Sequence, residues 1–350
     1  MTDEMPARQA ESITLEDVAT LAKVSVTTAS RVLSGSAHPV SAKARDRVVA
    51  AAAELGYSVS PLARALASKR SRIIGVIVPD NVDSYFAEIA RGIDDVANAN
   101  GYLTIVCNAD RDSDREIAQV QMLRTYNAAG VVFAGAGSRF HETSGLADAT
   151  HAAAEEGMAV ISLAKRDFPS QFIGFDNVAA ARELTNYLIR LGHRDIVFIS
   201  GLAGVYSAES RQAGYEQALS AVGLEPRIVT GTYAADSGAD AAVSVMSQST
   251  LPDAVIGAND QTAIAAMTAF RHAGISVPED ISVVGIGGTR LAALVDLTTS
   301  AVPLRELGER AAHRVINNVD EPAREDEFLP CRILIRQTTT KRGPMQRKSS

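Results

Sequence analysis

"TLEDVATLAKVSVTTASRVLSG", residues 14–35, is crowded with hydroxyls, yet its apolar residues recur every three or four positions, the period of a helix. Thr14 is placed to cap a helix whose third position is Asp17, a near match to a capping box, and Leu15, Val18, Leu21 and Ala22 then share one face. "AKVS" ends that helix. Ser25 caps a second, in which Ala29, Val32 and Leu33 point inward while Val26, Thr27, Ser30 and Arg31 stay outward near its beginning. Ser41 caps a third, with Val48, Ala52 and Leu55 inside and Gly56 as its stop. Two short helices about three residues apart, braced by a third, form a helix-turn-helix. The exposed start of the second helix would enter a major groove, where short hydroxyl and methyl groups approach base edges and phosphates closely. For the segment alone, Thr and Ser as simple caps of surface helices stays an equally open reading.

The charge distribution favours the nucleic-acid reading. Residues 14–72 carry nine Lys and Arg against Glu16, Asp17, Asp46 and Glu54, a balance of +5, so a chain of net −7 leaves −12 on the remainder. A basic head on an acidic body suggests that only the head meets phosphate. Within it, "GYSVSPLARALASKRSR" (56–72) offers Ser60 and Pro61 as a helix start, Leu62, Ala63 and Leu66 as an apolar side, and Arg64, Lys69, Arg70 and Arg72 as cations. Such a segment is too short to be a stable isolated helix. It could fold on DNA and push Leu66 into a minor-groove base step.

"TLEDVATLAKVSVTTASRVLSG", "AAAELGY" and "LARALAS", in that order, resemble the head and hinge of the lac-repressor family of bacterial transcription regulators, and the similarity runs along nearly the whole chain. The resemblance implies base reading by Val26, Thr27 and Arg31, backbone contacts by Ser25, Thr28 and His38, and a minor-groove lever at Leu66. One departure lies in the hinge, where Val59 and Ser60 replace the common Pro-Asn.

From residue 73 onward, apolar strands such as "IIGVIVP", "YLTIVCN", "VVFAG" and "GMAVISLA" alternate with helical stretches, and the pattern restarts with "ARELTNYLIRLGH", "DIVFISG", "AVIGAND" and "ISVVGIG". Alternation of this kind builds parallel sheets covered by helices, and its repetition predicts two lobes with a ligand cleft at the carboxyl ends of the strands. The fold class expected is therefore α/β: an N-terminal helix-turn-helix head and hinge helix joined to a two-lobed core with parallel sheets. The resemblance implies that this core is periplasmic-binding-protein-like, with three crossovers. The expected organisation is a disordered start (1–13), a DNA-binding head (14–58), a hinge helix (59–71), an effector-binding and dimerisation core (72–341) and a disordered tail (342–350). Lobe one would take about 72–174 and 303–332, and lobe two about 175–302 and 333–341.

By position, Tyr85, Phe86, Arg211, Tyr233, Asn259 and Asp260 match residues that line or border the family's effector cleft. Tyr85 and Phe86 as plain core, and Asp260 as the cap of the next helix, are the competing readings. Gly287 and Gly288 stand where sugar-binding relatives often carry Asp, and Lys165, beside Arg166, stands where "LIDR" would place another. Both changes remove negative charge. An anionic effector met by Lys165, Arg166 and Arg211 is one reading; a different neutral ligand is the other.

Enzymatic activity is not expected. "GAGSRF" (135–140) and "GIGGTR" (285–290) each follow a strand but complete no dinucleotide fingerprint. The six histidines show no zinc pattern; His151 and Glu155 lie one turn apart without an evident third ligand. Cys107 and Cys331 are read as reduced thiols, and no cofactor or metal is expected. A transport-linked binding protein is opposed by the basic head and by a polar start without an export signal. No apolar run approaches membrane-spanning length. The expectation is a cytoplasmic regulator, a repressor by preference, that binds palindromic double-stranded operator DNA as a homodimer and responds to a small-molecule effector. The tail "KRGPMQRKSS" lacks leucine heptads, against a tetramer joined by a terminal coiled coil.

Overall fold

The computed structural model describes residues 13–34, 38–57, 71–140, 144–317 and 325–342. The chain divides into two compact units, Met1–Ser71 and Arg72–Ser350.

In the first unit, helices α1 (Leu15–Ala22), α2 (Val26–Ser34) and α3 (Ala42–Leu55) enclose a small core of Val18, Ala19, Ala22, Ala29, Val32, Val48, Ala51 and Ala52. The start of α1 is a full capping box: the Asp17 N–H donates to Thr14 Oγ1 (3.3 Å) and the Thr14 N–H donates to the Asp17 carboxylate (2.8 Å). These Thr14 hydrogen bonds hold the Asp17 carboxyl below its usual range. Lys23 closes the helix in the left-handed conformation, and Ser25 and Ser41 open the next two. Leu21, expected inside, is 42% exposed, and Ala19 takes its place. At 100° per residue, positions 15, 18, 19 and 22 form one arc and position 21 falls to its side. The hinge segment and Leu66 lie outside the described residues.

The second unit begins with β1 (Ile73–Val78), α4 (Ser84–Ala99), β2 (Leu103–Asn108), α5 (Ser113–Thr125), β3 (Gly130–Phe133), α6 (Ser144–Glu155), β4 (Ala159–Ser162) and β5 (Gln171–Gly174). Then follow α7 (Asn177–Arg190), β6 (Ile196–Ile199), α8 (Tyr206–Ser220), β7 (Arg227–Val229), α9 (Ala235–Met246), β8 (Ala254–Gly257), α10 (Asp260–His272), β9 (Ser282–Gly287), α11 (Arg290–Leu294) and β10 (Thr298–Ala301). The chain returns through α12 (Leu304–Asn317), β11 (Glu327–Phe328) and β12 (Arg332–Leu334). Two six-stranded sheets result, ordered β11-β5-β4-β3-β1-β2 and β12-β10-β9-β8-β6-β7. All pairings are parallel except β12 on β10. The sheets belong to two lobes, and the chain passes between them after β5, after β10 and between β11 and β12.

Continuous Val and Ile runs fill β1, β3, β6, β8 and β9 because helices cover both faces of each sheet. Close helix contact relies on missing side chains. A Cβ on Gly92 of α4 would lie 2.1 Å from the Arg305 carbonyl, and one on Gly308 of α12 would lie 2.2 Å from that of Ile89. Gly214 serves α8 in the same way against the Val178 carbonyl of α7 (2.2 Å). Among the described residues no helix is long and apolar enough to cross a membrane.

Candidate DNA-binding face and effector cleft

In the head, α2 turns Ala29 and Val32 into the core, which leaves Val26 (43% exposed), Thr27, Ser30 and Arg31 on its open side. The Thr28 N–H donates to Ser25 Oγ (3.1 Å), and the two hydroxyl groups lie 2.8 Å apart in a mutual hydrogen bond. Ser25 and Thr28 thus both serve the cap. His38 is exposed between α2 and α3.

In the core, loops at the carboxyl ends of strands from both lobes meet around a cleft. Lobe one supplies Asp83, Tyr85 and Phe86 after β1, Arg111 after β2, and Ala134 to Ala136 after β3. Lobe two supplies Val205, Ser207 and Arg211 after β6, Tyr233 after β7 and Asn259 after β8. Phe175 and Asn177 line it from the first crossover.

Five of the eight expected effector residues are brought together here: Tyr85, Phe86, Arg211, Tyr233 and Asn259. Phe86 belongs to the lobe-one core as well and meets Tyr85 edge to face at 5.1 Å. Asn259 caps α10 by accepting from the Thr262 N–H (2.8 Å), and its amide donates to the Tyr233 carbonyl (3.1 Å). Tyr233, at φ +75°, is one of the few non-glycine residues in the left-handed region, a conformation that costs about 1 kcal/mol or more. Its ring fits against Gly201, where a Cβ would lie 2.3 Å away, and its hydroxyl hydrogen-bonds Ser207 Oγ at 3.1 Å.

The other three stand elsewhere. Asp260 is 2% exposed, and the helix cap is Asn259 instead. Its carboxylate accepts from the Thr289 N–H (2.8 Å), Thr289 Oγ1 (3.0 Å) and Thr299 Oγ1 (2.5 Å). Burial raises its pKa, and these donors oppose the rise. Gly285 and Gly287 make room for it: a Cβ there would lie 2.6 and 2.8 Å from its oxygens. "GIGGTR" is therefore the cradle of a buried carboxylate. Arg166 lies between the rings of Phe133 (4.9 Å) and Phe168 (5.1 Å), with Glu116 as bidentate partner at 3.1 and 2.5 Å. The pair neutralises itself in an adjoining chamber that shares Arg111 with the cleft. Lys165 is exposed, its ammonium 4.5 Å from the Tyr206 ring. The reading that joined Lys165 and Arg166 to Arg211 as one anion site is corrected by these partners.

Arg111 and Asp83 were missed. Both follow strands at their carboxyl ends, the one signal that pointed to them. Asp83 caps α4 through the Tyr85 N–H (2.9 Å), and burial raises its pKa. Asp110 and Arg111 are consecutive left-handed residues (φ +52° and +59°), and the turn carries the Arg111 guanidinium to 5.5 Å from the Tyr233 ring centre in the other lobe.

"GAGSRF" is a clasp between lobes: Ser138 forms an antiparallel bridge with Val205, the Arg139 N–H donates to the Gly204 carbonyl (3.0 Å), and the Tyr206 N–H donates to that of Gly137 (3.1 Å). Arg139 and Glu209 add an ion pair at 2.5 Å, and the Tyr206 hydroxyl donates to Asp167. His151 and Glu155 form an exposed pair at 3.4 Å, and no metal-binding cluster occurs among the described residues. Cys107 and Cys331 are free, and burial pushes the Cys331 thiol up to about 11.

A helix-turn-helix unit followed by a two-lobed core with a cleft defines a DNA-binding regulator that carries its own ligand site. Residues 14–60 match the model of bacterial regulatory proteins of the lacI family, and residues 71–340 match that of periplasmic binding proteins and the sugar-binding domain of the LacI family. The chain belongs to the LacI family of bacterial regulatory proteins. It is 30% identical to the HTH-type transcriptional regulator DegA of Bacillus subtilis over 93% of this chain and 98% of that one. It is 31% identical to the HTH-type transcriptional repressor CytR of Escherichia coli over 95% and 98% of the two chains. Among solved structures, the lac repressor dimer bound to operator and the anti-inducer ONPF is 28% identical and superposes with a TM-score of 0.81, over 94% of this chain and 99% of that one. The complex of the transcriptional regulator CelR with cellobiose is 26% identical, with a TM-score of 0.65 over 93% and 99%. These relatives are regulators, not enzymes.

Proposed function

We propose that this protein is a cytoplasmic transcriptional repressor that binds a palindromic operator as a homodimer and changes its affinity when a sugar or sugar-derived metabolite occupies the inter-lobe cleft. The observation that carries the reading is the open face of α2, where Val26, Thr27 and Arg31 stand clear of the head core, in one chain with a polar, aromatic-lined cleft. Val26, Thr27 and Arg31 read bases, Ser25, Thr28 and His38 approach the phosphate backbone, and Leu66 enters the minor groove from a hinge at about 59–71.

Tyr85, Phe86, Arg211, Tyr233 and Asn259 hold the metabolite; cellobiose in CelR and ONPF in the lac repressor are ligands of relatives and support a carbohydrate-sized occupant. A second copy of the chain has open apolar surface to bury: Leu103 (59% exposed) and Val106 (47%) on edge strand β2, and Leu291 (41%) and Leu294 (81%) on α11. The effector shifts the balance between lobe arrangements, the paired hinges separate or approach, and operator affinity follows. Operator DNA then changes effector affinity by the same factor.

Selection of bound fragments from sheared genomic DNA at physiological salt, with and without pooled metabolites, tests the reading. Recovery of a few palindromic sites, altered by the pool, is the expected result; only salt-sensitive, sequence-blind fragments would overturn it.

A further inference from the structure

Among the arginines whose side chains are buried, Arg166 is paired with Glu116 and Arg314 with Glu327 (2.7 Å). Arg211, 5% exposed, differs. Its Nε donates to Asn177 Oδ1 (2.8 Å) and its Nη1 to the Ala258 carbonyl (2.5 Å), both neutral acceptors, and among the described residues no carboxylate lies at ion-pair distance. Its hydrogen-bonding is partly met and its charge is not. A buried charge without a counter-charge is costly, so such a site favours an anionic partner.

Arg111 repeats the pattern from the other lobe. Its guanidinium also lacks a carboxylate at ion-pair distance among the described residues, and it is held over the cleft by two successive left-handed residues. Both guanidinium carbons lie within 6 Å of the Tyr233 ring centre, Arg111 at 5.5 Å and Arg211 at 5.9 Å, and both residues line the same cleft, so a ligand seated beside that ring meets a cation from each lobe. The single carboxylate lining the cleft is Asp83, one oxygen of which accepts from the Tyr85 N–H; the Arg111 charge acts on it from beyond ion-pair distance, so two guanidinium groups face one carboxylate.

Resting on the effector reading above, we infer that the effector is an anion whose carboxylate or phosphate group is taken by Arg111 and Arg211 together, one from each lobe, beside the Tyr233 ring. Planar guanidinium forks suit both oxyanions, and a group that joins donors from two lobes is bound only when the lobes are closed. Arg111 is then the specificity-determining residue of the site, and lobe closure is coupled directly to the charge of the metabolite.

The test uses the full-length protein and small metabolites extracted from bacterial cells, separated at neutral pH into fractions retained and not retained by an anion-exchange resin. The retained fraction is expected to raise Tm. Arg111→Gln is expected to weaken that response roughly tenfold or more in the concentration required, and Arg111→Lys by less, because it keeps the charge and loses the fork. Splitting the active fraction into phosphatase-sensitive and phosphatase-resistant parts separates a phosphate from a carboxylate. A rise produced only by the unretained fraction would overturn the anion while leaving a neutral effector in place. A rise from neither fraction would remove the effector reading itself, and an unaltered response in Arg111→Gln would remove Arg111 from the site.

Discussion

The carboxylate of Glu88, on α4 of lobe one, accepts a 2.7 Å hydrogen bond from the backbone N–H of Arg290, the first residue of α11 in lobe two. It ties the lobes together independently of the clasp around Ser138 and Val205. A charge-assisted bond of this kind, half exposed, contributes about 1 kcal/mol. Glu88→Ala is expected to shift the population toward more open lobes by roughly fivefold. Small-angle X-ray scattering would read this as an increased radius of gyration, and an unchanged curve would count against the tie.

His193 is fully buried at the end of α7, and neither ring nitrogen has a hydrogen-bond partner among the described residues. Burial lowers its pKa from 6.5 to about 4. The unfolded chain therefore takes up a proton near pH 6.5 that the folded protein refuses until near pH 4. Stability from this site is complete above about 6.5 and is lost as the pH falls through that window, by roughly 3 kcal/mol. His193→Leu should flatten the slope of urea-unfolding free energy between pH 6.5 and 4, and an undiminished slope would assign it to other groups.

Gly308 lets α12 rest directly on the backbone of α4. Gly308→Ala places a methyl group 2.2 Å from the Ile89 carbonyl, which forces the helices apart. The overpacking is expected to cost about 1–3 kcal/mol in chemical denaturation, whereas Gly223→Ala, with open space around it but φ +69°, should cost only its local strain of about 1 kcal/mol. Equal losses would refute the packing explanation.

Arg31 stands on the open face of α2. Arg31→Ala should weaken binding to the selected operator by about 1–3 kcal/mol and binding to random duplex by less, measured by fluorescence anisotropy at fixed salt. Matching losses on both duplexes would mean that Arg31 contacts phosphate alone.

The helix starts at Thr14, Ser25 and Ser41 and the double run of strands and helices were legible in the sequence because each depends on hydrogen bonds and periodicities within a few residues. Leu21 was misassigned because an eight-residue helix leaves its buried arc to be chosen by its neighbours. The cleft was half legible. The strand-helix order pointed to the cleft and the family resemblance to Tyr85, Phe86, Arg211, Tyr233 and Asn259, but Arg111 reaches the site through a left-handed turn that no local pattern announces.

The sequence by itself determined a basic three-helix head, an acidic core of two parallel-sheet lobes, and membership in a regulator family. Only the tertiary structure decided which charges face the ligand. Arg166 is neutralised by Glu116, 50 positions away, and Asp260 is consumed by Thr289 and Thr299, whereas Arg111 and Arg211 reach the cleft without a carboxylate partner among the described residues. Electrostatic pairing acts over a few ångströms of space and not along the chain, so the charge of the cleft is fixed when the lobes fold and is not written in the order of the residues.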